Sequence, residues 1–151
     1  MSLCDDEPGF HELDFWLGAW DVFADQQKVG TNRIEKILEG CAISENWVDV
    51  EGHQGKSLFY YQSATQRWKQ VWITEQATLP GGLKEKELIE RFKDGGVRFQ
   101  GEIPLADGRV YLDRTTLTPL PNDRVRQVIE VSRDAGQTWR VNFDAEYVRA
   151  E

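Results

Sequence analysis

The chain is expected to fold as an all-β protein: a closed, antiparallel, up-and-down β-barrel of about ten strands behind one short N-terminal helix. Three observations lead to that class. Short segments with apolar alternation follow one another from Ala19 to Arg149, with no long amphipathic helix among them. Their joints are turn residues suited to hairpins: Asp94-Gly95-Gly96, Asp107-Gly108, Pro121-Asn122-Asp123 and Asp134-Ala135-Gly136. A Gly-x-Trp (Gly18, Ala19, Trp20) opens the series and Arg149 stands near its end. Hairpin-linked strands leave two raw edges, and closure removes both.

The elements follow in order. A helical turn is expected over residues 9–17, with Pro8 at its start and Gly18 at its end. Strands are expected at 19–23, 31–38, 42–50, 56–62 and 68–74, then at 87–93, 97–103, 110–117, 124–132 and 138–149. No linker or low-complexity tract interrupts them. The whole of 1–151 therefore reads as a single domain, with residues 1–8 as a flexible tail.

Composition narrows the function classes. The 17.4 kDa chain is long enough to bury a core. Its net charge is −8, from 18 Lys and Arg against 26 Asp and Glu, and its basic residues form no cluster. Nucleic acid is therefore not an expected partner, and neither is an anionic membrane surface. No apolar run approaches a membrane span, and the acidic opening residues lack the features of a cleaved signal, so a cytoplasmic location is expected. Cys4 and Cys41 are too few for a disulfide framework and read as reduced thiols. His11 and His53 show no ligand spacing with either and read as surface residues, so no metal and no cofactor are expected.

Alternation sorts the side chains. In the last strand Trp139, Val141, Phe143, Ala145, Tyr147 and Arg149 share the inward face. Glu45, Gln70 and Arg114 also read as inward, framed by Trp47, Tyr61 and Trp72. A carboxylate and a guanidinium inside a barrel must pair or meet a ligand, because an isolated buried charge is very costly. Two readings follow: a Glu45–Arg114 ion pair, or the polar end of a pocket whose ligand stacks on the indoles. Glu45 is also the candidate acid/base if burial raises its pKa. Outward Val71 and Ile73 leave room for self-association, and so for a homodimer.

Two motifs carry structure. In lipocalin-like barrels a Trp at the start of the first strand plugs the floor, and an Arg of the last strand lies across its ring; Trp20 and Arg149 fit that pattern. Ser132, Asp134, Gly136, Thr138 and Trp139 match the Asp-box hairpin, in which Ser and Asp cap turn amides and Trp packs beneath. A single copy in a chain this short cannot make a propeller.

Taken in order, Phe15-Trp16-Leu17-Gly18-Ala19-Trp20, Glu45-Asn46-Trp47, Arg67-Trp68-Lys69-Gln70-Val71-Trp72, Thr118-Pro119-Leu120-Pro121 and the 132–139 turn resemble a largely bacterial family of domains without an assigned function, grouped with calycin-like barrels. The resemblance runs from about Leu13 to Arg149 and implies a single-domain barrel with a central cavity. The chain departs from the family at Phe59, where Asn is common, and at Lys69, where His is frequent. Haem-binding barrels of similar shape take their iron ligand from a late histidine, and no histidine follows His53.

The expected function is binding of a small apolar or aromatic molecule by Glu45, Trp47, Tyr61, Gln70, Trp72 and Arg114. The alternative is a small-barrel isomerase or hydrolase that uses Glu45. A third reading is a self-filled barrel with a protein-binding outer face.

Overall fold

The computed structural model describes residues 3–151 as a closed barrel of ten antiparallel strands. The strands are β1 (Gly18–Ala24), β2 (Gln27–Ile37), β3 (Ala42–Asp49), β4 (Gln54–Gln62), β5 (Arg67–Thr74), β6 (Leu83–Arg91), β7 (Val97–Pro104), β8 (Val110–Leu120), β9 (Arg124–Ser132) and β10 (Arg140–Arg149). Each pairs with its neighbours in sequence, and β1 closes the barrel on β10 through Trp20 opposite Arg149 and Val22 opposite Tyr147. The largest departure from expectation is β6, which begins at Leu83 rather than at residue 87. Its first residues, Leu83-Lys84-Glu85-Lys86-Glu87, are mostly charged and carry little apolar alternation.

The short N-terminal helix is present in 3-10 form, as the segments Leu3–Asp6, Pro8–His11 and Asp14–Trp16, and proline opens the second. The spacing explains the tighter winding. Phe10, Leu13 and Trp16 recur every third residue, and three residues per turn stacks them on one side. All three are buried. Phe10 meets the Tyr61 and Trp68 rings edge-on, and Trp16 meets Phe59. The Trp68 indole donates to the Gly9 carbonyl at 3.1 Å. This segment stoppers the end of the barrel where β1 begins.

The expected tail and thiols are corrected here. From Leu3 onwards the stretch is folded into turns, and Cys4 is joined to Cys41 in a disulfide. The bond ties the stopper to the β2–β3 connection. Met1 and Ser2 of the expected tail lie outside the described residues. The cytoplasmic expectation drew on free thiols, and a disulfide removes that support. His11 and His53 both lie exposed.

The stoppered end is the apolar core: Trp16, Trp20, Phe59, Trp68, Phe99, Leu117 and Val125 are buried together with Leu88, Ala145 and Tyr147. Trp20 donates to the Trp16 carbonyl at 2.8 Å, and the Arg149 guanidinium lies 3.8 Å above its ring. Arg149 also binds the Leu17 carbonyl and both oxygens of Asp123. The expected Trp–Arg plug is therefore present.

At the opposite end β10 departs from simple alternation. Val141 pairs with Glu130 and Phe143 with Ile129, so Asn142 is an extra residue on the β10 side. A bulge of this kind reverses which face a strand presents. Phe143 onwards looks inward as expected, but Val141 is exposed and Trp139 packs outside, under Arg114. The Asp-box turn is built as expected. Ser132 donates to Asp134 at 2.8 Å and accepts from the Gly136 amide, while Asp134 accepts from the Thr138 amide and hydroxyl. Those hydrogen bonds, Thr138's first, hold the Asp134 carboxyl at about 2.

Candidate functional site

Above the apolar core the interior becomes polar, and a cavity of about 280 Å³ opens there. Its mouth is aromatic and its floor carries charge. At the mouth stand Trp47 of β3, Trp72 of β5, Ile129 of β9 and Phe143 of β10. The two indoles are set by glycines on adjacent strands. A Cβ at Gly30 would lie 2.6 Å from the Trp47 ring, and one at Gly55 would lie 2.3 Å from the Trp72 ring. Each indole therefore lies against the backbone of the neighbouring strand. Trp47 also meets Phe143 edge-on, with ring centres 6.2 Å apart.

The floor has two walls. On one, Glu45 is 4% exposed and accepts from Asn32 Nδ2 at 2.8 Å. The same amide donates to the Tyr147 hydroxyl at 2.9 Å, which donates onward to Gln127. Ser57 hydrogen-bonds Glu45 and accepts from Gln70 Nε2 at 3.0 Å. Burial pushes the Glu45 carboxyl above its ordinary value, against the opposing pull of Asn32, Ser57 and the Lys86 charge. Burial and the Glu45 charge also keep the Tyr147 hydroxyl neutral, its pKa well above the phenol range. Gln70 Oε1 and Asn32 Oδ1 are buried without a protein partner.

The other wall is an ionic triad. Asp113 of β8 is 1% exposed and binds Lys84 at 2.7 Å and Lys86 at 2.5 Å, both from β6. Lys86 also donates to Thr115 at 2.8 Å. Gly101 of β7 lies against this part of β6: a Cβ there would meet the Glu85 backbone carbonyl at 1.9 Å and the Lys86 side chain at 3.2 Å. The lysine crosses one whole strand to find its partners. Burial lowers the Lys86 amine to about 8, although Asp113 works to hold its proton. For Asp113, burial acts to raise the carboxyl, but the Lys86 and Lys84 charges outweigh it and hold it below its usual range.

Four of the six expected ligand residues meet at this cavity: Glu45, Trp47, Gln70 and Trp72. The other two do not. Tyr61 looks inward but at the stoppered end, against Phe10 and Trp68. Arg114 looks outward, where it forks onto Glu130 at 3.0 and 3.3 Å and lies 3.8 Å over Trp139. The expected Glu45–Arg114 pair therefore does not form, and the inward cations are Lys84 and Lys86. Their signal was present in the sequence. Lys84 and Lys86 stand at two-residue steps from Leu88, which is buried in the core, so extending that strand toward the N-terminus puts both lysines on the inner face.

No protein-family model and no curated protein matches this chain. The resemblance drawn from its motifs therefore rests on those motifs.

Proposed function

We propose that the barrel binds one small molecule with an aromatic or apolar body and a polar end. The observation that carries the reading is the cavity itself, about 280 Å³ with indole and phenyl groups at its mouth and hydrogen-bonding groups at its floor. Small barrels enclose single ligands in this manner. Glu45, Trp47, Gln70 and Trp72 remain the proposed contacts, joined by Phe143 and Lys86. Titration with small aromatic compounds, followed by calorimetry and tryptophan emission, tests it. Trp72→Ala should weaken a stacking ligand about tenfold or more, given about 0.5–1.5 kcal/mol for ring geometry plus the lost apolar contact. Equal affinity in the variant would remove Trp72 from the site.

A second reading, acid/base chemistry by Glu45, is favoured by its burial beside the cavity and its raised pKa. It predicts turnover that Glu45→Gln abolishes while ligand binding survives. Loss of neither would retire that role.

A further inference from the structure

We propose that the molecule bound in the cavity is an amphipathic monoanion, an aromatic or apolar carboxylate whose head group lies against Lys84 and Lys86. The inference rests on the binding function proposed above and adds the chemical class of the ligand. Its ground is a local count of charge. Two ammonium groups share one buried carboxylate, Asp113, which leaves one positive charge over on that wall. The chain as a whole carries −8, so this surplus inside the barrel runs against the general composition. An uncompensated charge held out of water is costly, and a bound anion removes that cost.

The geometry points the same way. Both lysines line the cavity, and Lys86 is almost completely buried. Lys86 reaches across β7 to Asp113 and Thr115. Glu45 attracts the Lys86 charge but makes no ion pair with it among the described residues. It stands on β3, three strands round the barrel from β6, and is already bound by Asn32 and Ser57. The mouth rings supply the apolar half of the site.

Isothermal calorimetry of the whole protein with cinnamate and with cinnamamide tests the proposal, since the two share a body and differ in head-group charge. Cinnamate should bind at least about tenfold more tightly, the scale of a charge-assisted hydrogen bond. Lys86→Met would remove the more deeply buried of the two amines on Asp113, together with its bond to Thr115, and risk the fold. Lys84→Met is the readable variant, because that side chain reaches solvent and its loss leaves one amine on one carboxylate. It should bring the acid and the amide to within about twofold. Asp113→Asn, which frees a second positive charge, should widen the preference. Equal binding of acid and amide by the wild-type protein would overturn the anionic class and leave the binding cavity standing. Failure of both compounds to bind would count against both proposals.

Discussion

At the residue scale the interior is ruled by two opposed titrations. Glu45 is buried and its pKa is raised, so the folded protein holds that proton more tightly than the unfolded chain. Its contribution to stability is complete below the unfolded carboxyl value and is lost as pH rises through the folded one. Glu45→Gln removes the titration. The unfolding free energy of wild type minus variant should therefore fall as pH rises above the ordinary carboxyl range, by up to about 1.4 kcal/mol per pH unit within the window. A flat difference across that window would contradict the buried carboxyl. Lys86 titrates with the other sense. Its amine is lowered to about 8, so the unfolded chain binds the extra proton and folding gains stability as pH rises from there towards the ordinary lysine value.

Arg114 shows at the same scale what a single sequence does not disclose. On β8, Tyr111, Asp113, Thr115 and Leu117 are buried, while Val110, Leu112, Arg114 and Thr116 face the other way. Both faces carry apolar residues and one charge, so alternation alone does not choose between them. The choice is made by Glu130 and Trp139, which come from other strands. Arg114→Ala should cost about 1–2 kcal/mol of stability through the lost fork and ring contact, and leave ligand affinity unchanged. Chemical denaturation paired with calorimetry checks both halves.

At the element scale the hairpin series was legible because turn chemistry is local. Asp-Gly, Pro-Asn-Asp and the Asp-box announce their own conformations, and Ala135 and Asn122 take the positive φ their turns require. The β10 bulge was not legible, since Val141 and Phe143 read as one alternating run until pairing with β9 places Asn142 out of step. The stopper lay between these cases. Its three-residue spacing was visible, but its bond to Cys41 depends on where the β2–β3 connection passes. That bond closes a loop with a sequence separation of 37 residues, for which chain entropy gives about 4 kcal/mol. Cys4→Ser with Cys41→Ser should lower the melting temperature markedly while the β-sheet circular dichroism at low temperature stays intact. An unchanged melting temperature would show that Phe10, Leu13 and Trp16 hold the stopper unaided.

On the scale of the whole molecule the barrel is divided along its axis. The stoppered half is closed by Trp16, Trp20, Phe59 and Trp68, which fill their space with rings. The open half carries the polar floor and aromatic mouth. The sequence displayed this division in part, as Glu45, Gln70, Trp47 and Trp72 on inward faces. It concealed the triad as a set because Asp113 lies on β8, two strands round from the lysines of β6, and each charge reads singly as ordinary surface charge. A barrel filled by its own side chains has no need of buried carboxylates and amines, which cost stability unless they serve a registry or binding role. The proposed account gives them the second role.

Native mass spectrometry of the protein purified from its own host measures this most directly. The account predicts one small anionic molecule per chain, released on denaturation and diminished in the Trp72→Ala and Lys84→Met variants. A bare chain mass, persisting after incubation with aromatic and aliphatic acids, would contradict it.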